Sequence, residues 1–223
     1  MKYGVELEYG VPGYQALLAL GEAMGSQYSK IKHAVGGYKT YILKNGWYVS
    51  FDPCLRRDGW RVDECVEIVS PVLDNDDAWP SVLDALTGIN AQVSPRCGMH
   101  IHVDAVHLSA EDLLAICRAV DDYGFVVSPA RKQYCRPLPV ALLAMDNPTM
   151  NELWEQWYEG QWKRPVPLRG RGRLHPARHR LINLGSVWFR GTLEFRMFDS
   201  TLSLDQLKAN LDIVRSIIAP YLK

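Results

Sequence analysis

Four short segments of the chain carry residue types that do chemistry. In Tyr3-Gly4-Val5-Glu6-Leu7-Glu8-Tyr9, two carboxylates stand two residues apart among strand-forming residues. A strand turns every second side chain to the same face, so Glu6 and Glu8 point together, about 7 Å apart at Cα. Desolvated like charges at that spacing oppose each other's ionisation, so the pair faces water or a cation. The same period places His100, His102 and Asp104 on one face of Gly98-Met99-His100-Ile101-His102-Val103-Asp104, and Glu194 with Arg196 on one face of Thr192-Leu193-Glu194-Phe195-Arg196-Met197. Glu67 adds an acid inside the apolar run Cys65-Val66-Glu67-Ile68-Val69-Ser70. Carboxylate oxygens suit hard ions such as Mg²⁺ and Mn²⁺, and imidazole suits Mn²⁺ and Zn²⁺. Arginine beside them suits phosphate or carboxylate, gripped by its planar fork. Metal ligands with arginine on a sheet face point toward nucleotide phosphates.

Each segment alone has a plainer reading. Alternating glutamates often mark a solvated sheet face. His-x-His on a strand often faces solvent or bonds the backbone. Glu-x-Arg is commonly an ion pair. The set as a whole weighs against these, because a solvated face favours Lys, Thr and Gln with mixed signs, whereas this one collects Glu and His.

The elements that must position these residues follow from periodicity and turn chemistry. Strand 3–9 ends at Val11-Pro12-Gly13, and apolar residues at helical spacing predict a helix over 14–24. Strands at 38–43 and 47–51 flank Lys44-Asn45-Gly46, a hairpin signal. A strand at 61–70 leads to a helix near 76–91. Met99–Val106 reads as a strand, and Ser109-Ala110-Glu111-Asp112 opens a helix reaching about Val127. Thr149-Met150-Asn151-Glu152 opens a tryptophan-rich helix. Residues 181–189 and 191–199 read as a strand pair around Arg190-Gly191, and Ser203 opens a last helix to about Ile218. This order predicts a single α+β domain over 1–223, a mostly antiparallel sheet with helices on its outer, apolar face. The exception in composition is the basic, Gly/Pro-rich stretch 163–180.

Bulk properties narrow the classes. Across 223 residues, 25 Lys and Arg balance 25 Asp and Glu, so no net charge draws the chain to nucleic acid or an anionic membrane. The five cysteines, at 54, 65, 97, 117 and 135, form no Cys-x-x-Cys pair, as expected of reduced thiols. No apolar run approaches a membrane span and no leader precedes the first strand, so the expected setting is cytoplasmic, without a membrane.

The motifs Gly4-Val-Glu6-Leu-Glu8, Glu67-Ile-Val-Ser-Pro71, Cys97-Gly98-Met-His100-Ile-His102-Val, Arg131 after Ser128-Pro129, Asn183 and Thr192-Leu-Glu194-Phe-Arg196 occur in an order that resembles the amidoligase family. That family lies in the carboxylate–amine ligase superfamily with glutamine synthetase and glutamate–cysteine ligase. The resemblance implies a glutamine synthetase catalytic-domain-like fold, a curved sheet holding ATP and Mg²⁺ (or Mn²⁺) on its polar face. It assigns Glu6, His100 and Glu194 to a metal near the β- and γ-phosphates, and Glu8 and Glu67 to one nearer the substrate. Arg196 matches the arginine that meets the transferred phosphoryl group, and Arg131 a phosphate or carboxylate ligand. His102 and Asn183 would line the nucleotide.

The implied reaction is ATP-dependent amide or isopeptide formation through an acyl phosphate, with small-molecule or peptide carboxylates and amines as substrates. Asp52 is the candidate to take the amine's proton. Arg171 and Arg173, in the basic stretch, could fold over an anionic ligand or contact substrate. Two other readings stay open at this point. One is a nucleic-acid-binding or -modifying protein using the arginine-rich loop. The other is a Zn-dependent hydrolase using His100 and His102, for which the carboxylate-rich set is too hard and the chain short for a barrel of ~250 residues.

Overall fold

The computed structural model describes residues 1–33, 39–52, 55, 59–159 and 175–222. The chain falls into two compact units. The N-terminal unit comprises Lys2–His100 and Phe198–Leu211; the C-terminal unit comprises Ile101–Met197 and Asp212–Lys223, with Met1.

The N-terminal unit contains β1 (Tyr3–Gly10), α1 (Gly13–Ala23), β2 (Tyr28–His33), β3 (Lys39–Leu43), β4 (Tyr48–Phe51), β5 (Cys65–Val69), α2 (Trp79–Gly88) and the start of β6 (Gly98–Asp104). Its strands lie in the order β2-β3-β4-β5-β1, with β6 beside β1, and each pair from β2 to β1 is antiparallel. On one face of β1, Tyr3, Val5, Leu7 and Tyr9 are fully buried. Burial of each such aliphatic side chain stabilises the fold by roughly 2 kcal/mol. It also fixes the register, because a slip of one residue would drive both glutamates into the core. Helix α1 covers this apolar face: Gly13 meets Val66 and Tyr41, and Tyr14 packs edge-on against Tyr41. At the far end the Trp79 indole N–H donates to Tyr3 Oη (3.0 Å) and its ring sits edge-on to Trp47.

The opposite face is read from the register. Glu8 stands directly across from Glu67, and Glu67 across from Ser50. One row further along, Gly10 pairs with Cys65, whose carbonyl accepts the Asp52 N–H. Gly10 has to be glycine, since the Trp60 indole lies where a Cβ would be, 2.2 Å from its nearest carbon.

The C-terminal unit continues β6 and adds α3 (Ala110–Asp122), α4 (Val140–Leu143), α5 (Met150–Glu159), β7 (Ile182–Asn183) and α6 (Gly185–Arg190). It also holds most of β8 (Thr192–Asp199) and the end of α7 (Leu204–Ile218). Its strand order is β6-β8-β7, with β7 antiparallel to β8. Ile101, Val103, Leu193, Phe195 and Met197 are buried on one face, as alternation requires. The expected helix starts form as written: Ser109 Oγ accepts from Asp112 N–H (3.1 Å), and Asp112 returns a bond from Ser109 N–H (2.9 Å). Thr149 and Glu152 do the same at α5.

The fold class is α+β with antiparallel pairing, as expected. The structure corrects several elements. Residues 181–189 do not form a strand. Only Ile182 and Asn183 pair, with Phe195 and Glu194, and residues 185–190 coil into α6. Gly191 is a left-handed helix cap (φ 71°), not a hairpin turn, so the aromatic and β-branched run Val187-Trp188-Phe189 misleads. Helix α3 stops at Asp122 rather than Val127, one turn short, where Gly124 takes φ 69°. The strand expected from residue 61 begins at Cys65, because Glu64 Oε2 accepts the Arg61 N–H (2.8 Å) and closes a 3₁₀ turn. Strand β2 has no counterpart among the sequence expectations. Among the described residues, Cys65, Cys97, Cys117 and Cys135 are buried and in no disulfide. No helix is long and apolar enough to cross a membrane among the described residues.

Candidate functional site

In the N-terminal unit the acids gather around one imidazole. His100, buried on β6, sets Nδ1 3.3 Å from Glu6 Oε2 and Nε2 3.7 Å from Glu8 Oε1. Glu6 and Glu8 are themselves buried to within a tenth of their surface. The other Glu8 oxygen, Oε2, accepts the Gly98 backbone N–H at 2.6 Å, which ties the start of β6 to β1. Glu67, on β5, completes a group with Glu6 and His100 in which one ligand atom from each lies within 4.8 Å of the others. Such a spacing suits a divalent ion held by two carboxylates and an imidazole.

The electrostatics say what this group lacks. Burial of the Glu67 carboxyl, then the charges of Glu6, Asp52 and Glu8, and a hydrogen bond with Glu6, hold it well above the ordinary carboxylate range. Burial and three neighbouring carboxylates disfavour its ionisation. A bound cation would offset that crowding of negative charge. The donor set therefore fits a hard divalent metal.

The C-terminal unit has the opposite character. Glu194, on β8, is clamped from two sides. Asn183, its cross-strand partner on β7, donates Nδ2–H to Oε2 at 2.7 Å, and Arg196 Nη1 donates to Oε1. Arg131, buried to 2% exposure, sends Nη2–H to the Arg196 backbone carbonyl (2.7 Å), bracing the strand beneath the arginine head. His179 stands among guanidinium groups: the Arg178 Nε–H donates to its Nε2 (3.2 Å), and Arg136 holds its backbone carbonyl (3.2 Å). Burial, then Arg178, Arg196 and Arg136, push its pKa down to about 4, with Glu194 opposing. A buried ring whose protonation is opposed by three arginines lies where an anion would be favoured. Arg180, by contrast, donates Nη1–H to the Pro137 carbonyl (2.5 Å) and stacks 5.8 Å from the Trp157 centroid.

The structure thus gathers Glu6, Glu8, Glu67, His100 and Asp52 in one unit, and Asn183, Glu194, Arg196 and Arg131 in the other. Within the N-terminal unit Glu67 groups with Glu6 and His100, and also faces Glu8 across the strands. His102 sits in the C-terminal unit, bonded through Nδ1 to Thr192 Oγ1 (3.2 Å). Arg171 and Arg173 lie outside the described residues. Sequence reasoning missed Arg136, Thr192 and the Gly98 N–H as parts of these clusters. Thr192 was within reach, since alternation along β8 puts it on the face of Glu194 and Arg196. Arg136 sits in no periodic pattern, and no sequence signal points to it.

The family model described as "Putative amidoligase enzyme" matches residues 1–218, and the chain belongs to this family. That description places it in the class of amide-forming ligases. A search of curated proteins finds no match to the chain.

Proposed function

We propose that the protein is an ATP-dependent carboxylate–amine ligase that forms an amide or isopeptide bond through an acyl phosphate. The observation that carries this is the Glu6–Glu67–His100 group, whose crowded acids favour a divalent cation over a proton. A carboxylate is a poor acyl donor because its leaving group would be oxide. Phosphorylation by ATP gives it a phosphate leaving group, and the amine then attacks the carbonyl carbon, expelling inorganic phosphate. In such chemistry the protein supplies position and charge neutralisation.

Glu6, Glu67 and His100, with Glu8 beside them, would hold Mg²⁺ or Mn²⁺, which when bound neutralises phosphate charge. Gly98 and His100 keep Glu6 and Glu8 aimed at that position. Arg196 would meet the transferring phosphoryl group, with its backbone held by Arg131 and its head oriented by Glu194. Asn183 orients Glu194 in turn. Asp52, at the end of β4 and close enough to Glu67 to raise its pKa, is the group proposed to accept the ammonium proton. The relation to the curved glutamine synthetase fold, and a cytoplasmic setting, belong to the same reading. Neither a nucleic-acid-binding role nor zinc hydrolysis gains support from the family match.

The test is an ADP-release screen of purified protein with Mg²⁺ and ATP over panels of amino acids, peptides and amines, with mass spectrometry of the product. A product heavier by the amine and lighter by one water supports the proposal. ATP turnover that is absent for every acid–amine pair, together with no thermal shift on adding Mg²⁺ and ATP, sinks it.

A further inference from the structure

Trp60 lies flat on the sheet floor of the N-terminal unit. Three carbons of its indole, Cε2, Cζ2 and Cδ2, stand 2.2, 2.4 and 2.5 Å from the point where a Gly10 Cβ would be. Near-equal distances to three fused-ring atoms place that point over the ring face and not at its edge. The face of β1 that carries Glu6 and Glu8 also carries Gly10, so the indole covers the polar side of the sheet. The turn that follows holds it there. Val11 N–H donates to the Glu64 carbonyl (2.7 Å), and Glu64 Oε2 accepts the Arg61 N–H (2.8 Å). Trp60 packs against the cluster of Leu55, Cys65 and Cys97, yet keeps part of its surface exposed. With one face laid on Gly10, the ring has its other face turned away from the sheet. Among the described residues no second ring and no cation stacks on it. Arg61, next in the chain, is exposed and pairs with Asp63 (3.2 Å).

The register says what surrounds this ring. Gly10 pairs with Cys65, and the Cys65 carbonyl accepts the Asp52 N–H, so Asp52 stands in the same row two strands away, about 10 Å at Cα. The next row on this face holds Glu8, Glu67 and Ser50. An indole face attracts a cation through its quadrupole. The carboxylates beside it add to that attraction and repel an anion. We propose that Trp60 is the platform for the amine substrate, and that this amine is a primary alkylammonium whose nitrogen has no carboxylate beside it. Its methylenes would lie on the indole with the charged end toward Asp52. The proposal rests on the ligase reading above and narrows its amine. In the transfer, Asp52 takes one ammonium proton, and the freed lone pair forms the C–N bond at the acyl carbon. The C–O bond to phosphate breaks, and a second proton leaves with the phosphate. An α-amino acid would bring its own carboxylate into a row of acids, and ammonia has no carbon chain to use the ring.

In ¹H–¹⁵N spectra of the full-length protein with Mg²⁺, the Trp60 indole N–H signal is identified by its loss in Trp60→Phe. Butylammonium should move this signal, while butanol, glycine and ammonium should leave it in place. A response to butanol equal to that to butylammonium overturns the proposal, since the ring would then be an apolar cover only. So does a signal that no amine moves. In the ADP-release assay, butylamine should be used ahead of glycine and ammonia. Trp60→Leu, which keeps an apolar cover over Gly10, should raise the butylamine KM roughly fivefold with kcat within about twofold, while Trp60→Phe stays near wild type. An unchanged KM in Trp60→Leu overturns the proposal. If Trp60→Leu does not fold, the Trp60 signal and Trp60→Phe still decide. Movement of the signal by butylammonium without ADP release from any acid–amine pair would uphold the platform and sink the ligase reading. ADP release with amino acids or ammonia alone, and an unmoved Trp60 signal, would overturn the platform and leave the ligase reading intact.

Discussion

Burial pushes both Glu67 in the N-terminal unit and His179 in the C-terminal unit toward neutrality, and neighbours of opposite sign add to it. Around Glu67 the neighbours are carboxylates, which oppose loss of its proton; around His179 they are chiefly guanidinium groups, which oppose its gain of one. The charges beside each group differ in sign, so a cation would ease the first region and an anion the second. The proposed ligase reaction would call on both kinds of charge. The protein thus divides its charge between the units while its sequence as a whole carries none.

The sharpest way to break this comparison is to remove a member of each cluster. Glu6→Ala should abolish the thermal shift given by Mg²⁺ with ATP and lower ADP release by at least ~10²-fold, the size of loss seen when a charge-stabilising group is deleted. Arg196→Ala should cost activity on a similar scale while leaving stabilisation by the metal alone intact. If the two variants behave alike toward metal alone, the division of labour is wrong.

A smaller effect separates metal from proton at Glu67. Its protonated form is favoured on folding, so the stability it contributes is full below its ordinary value of 4.5 and is lost as pH rises toward its raised folded value. Glu67→Gln should therefore melt roughly 3 °C above wild type at neutral pH in the presence of a chelator, with the gap closing toward pH 4. Mg²⁺ should stabilise the wild type and not the variant, which differential scanning calorimetry across pH can follow.

The smallest effect is expected at His179, where the sign reverses. The unfolded chain protonates this residue near 6.5 and the folded protein only near 4, so its contribution is intact above pH 6.5 and is lost as pH falls through about 4. His179→Gln should flatten the wild-type loss of stability in that window. Pyrophosphate should raise the His179 pKa in an NMR titration by neutralising the arginines; a fall or no change would count against an anion site there.

The faces of the acidic and histidine side chains were legible in sequence because strands encode them with period two. Glu6, Glu8, His100 and Glu194 needed only alternation to be placed, and the family motifs ordered them. What the sequence hid depends on contacts without period. The Gly98 amide binds Glu8 through a backbone atom that no side-chain pattern reveals. Arg136 reaches His179 and Pro176 carbonyls across a long stretch of chain. Helix α6 was hidden by its own residues, since Val, Trp and Phe favour strands, and the cap at Gly191 decides for helix.

That short helix has a consequence for how the site is inherited. Asn183, Thr192 and Glu194 all fall between residues 183 and 194, joined by α6 and its glycine cap. These positions form a contiguous cassette. Exchanging residues 182–196 as a block between members of the family should carry the whole donor pattern in one recombination event. A single-residue deletion in 184–191 should disrupt it by shortening α6 and displacing its glycine cap, while the buried Leu193, Phe195 and Met197 hold β8 in register.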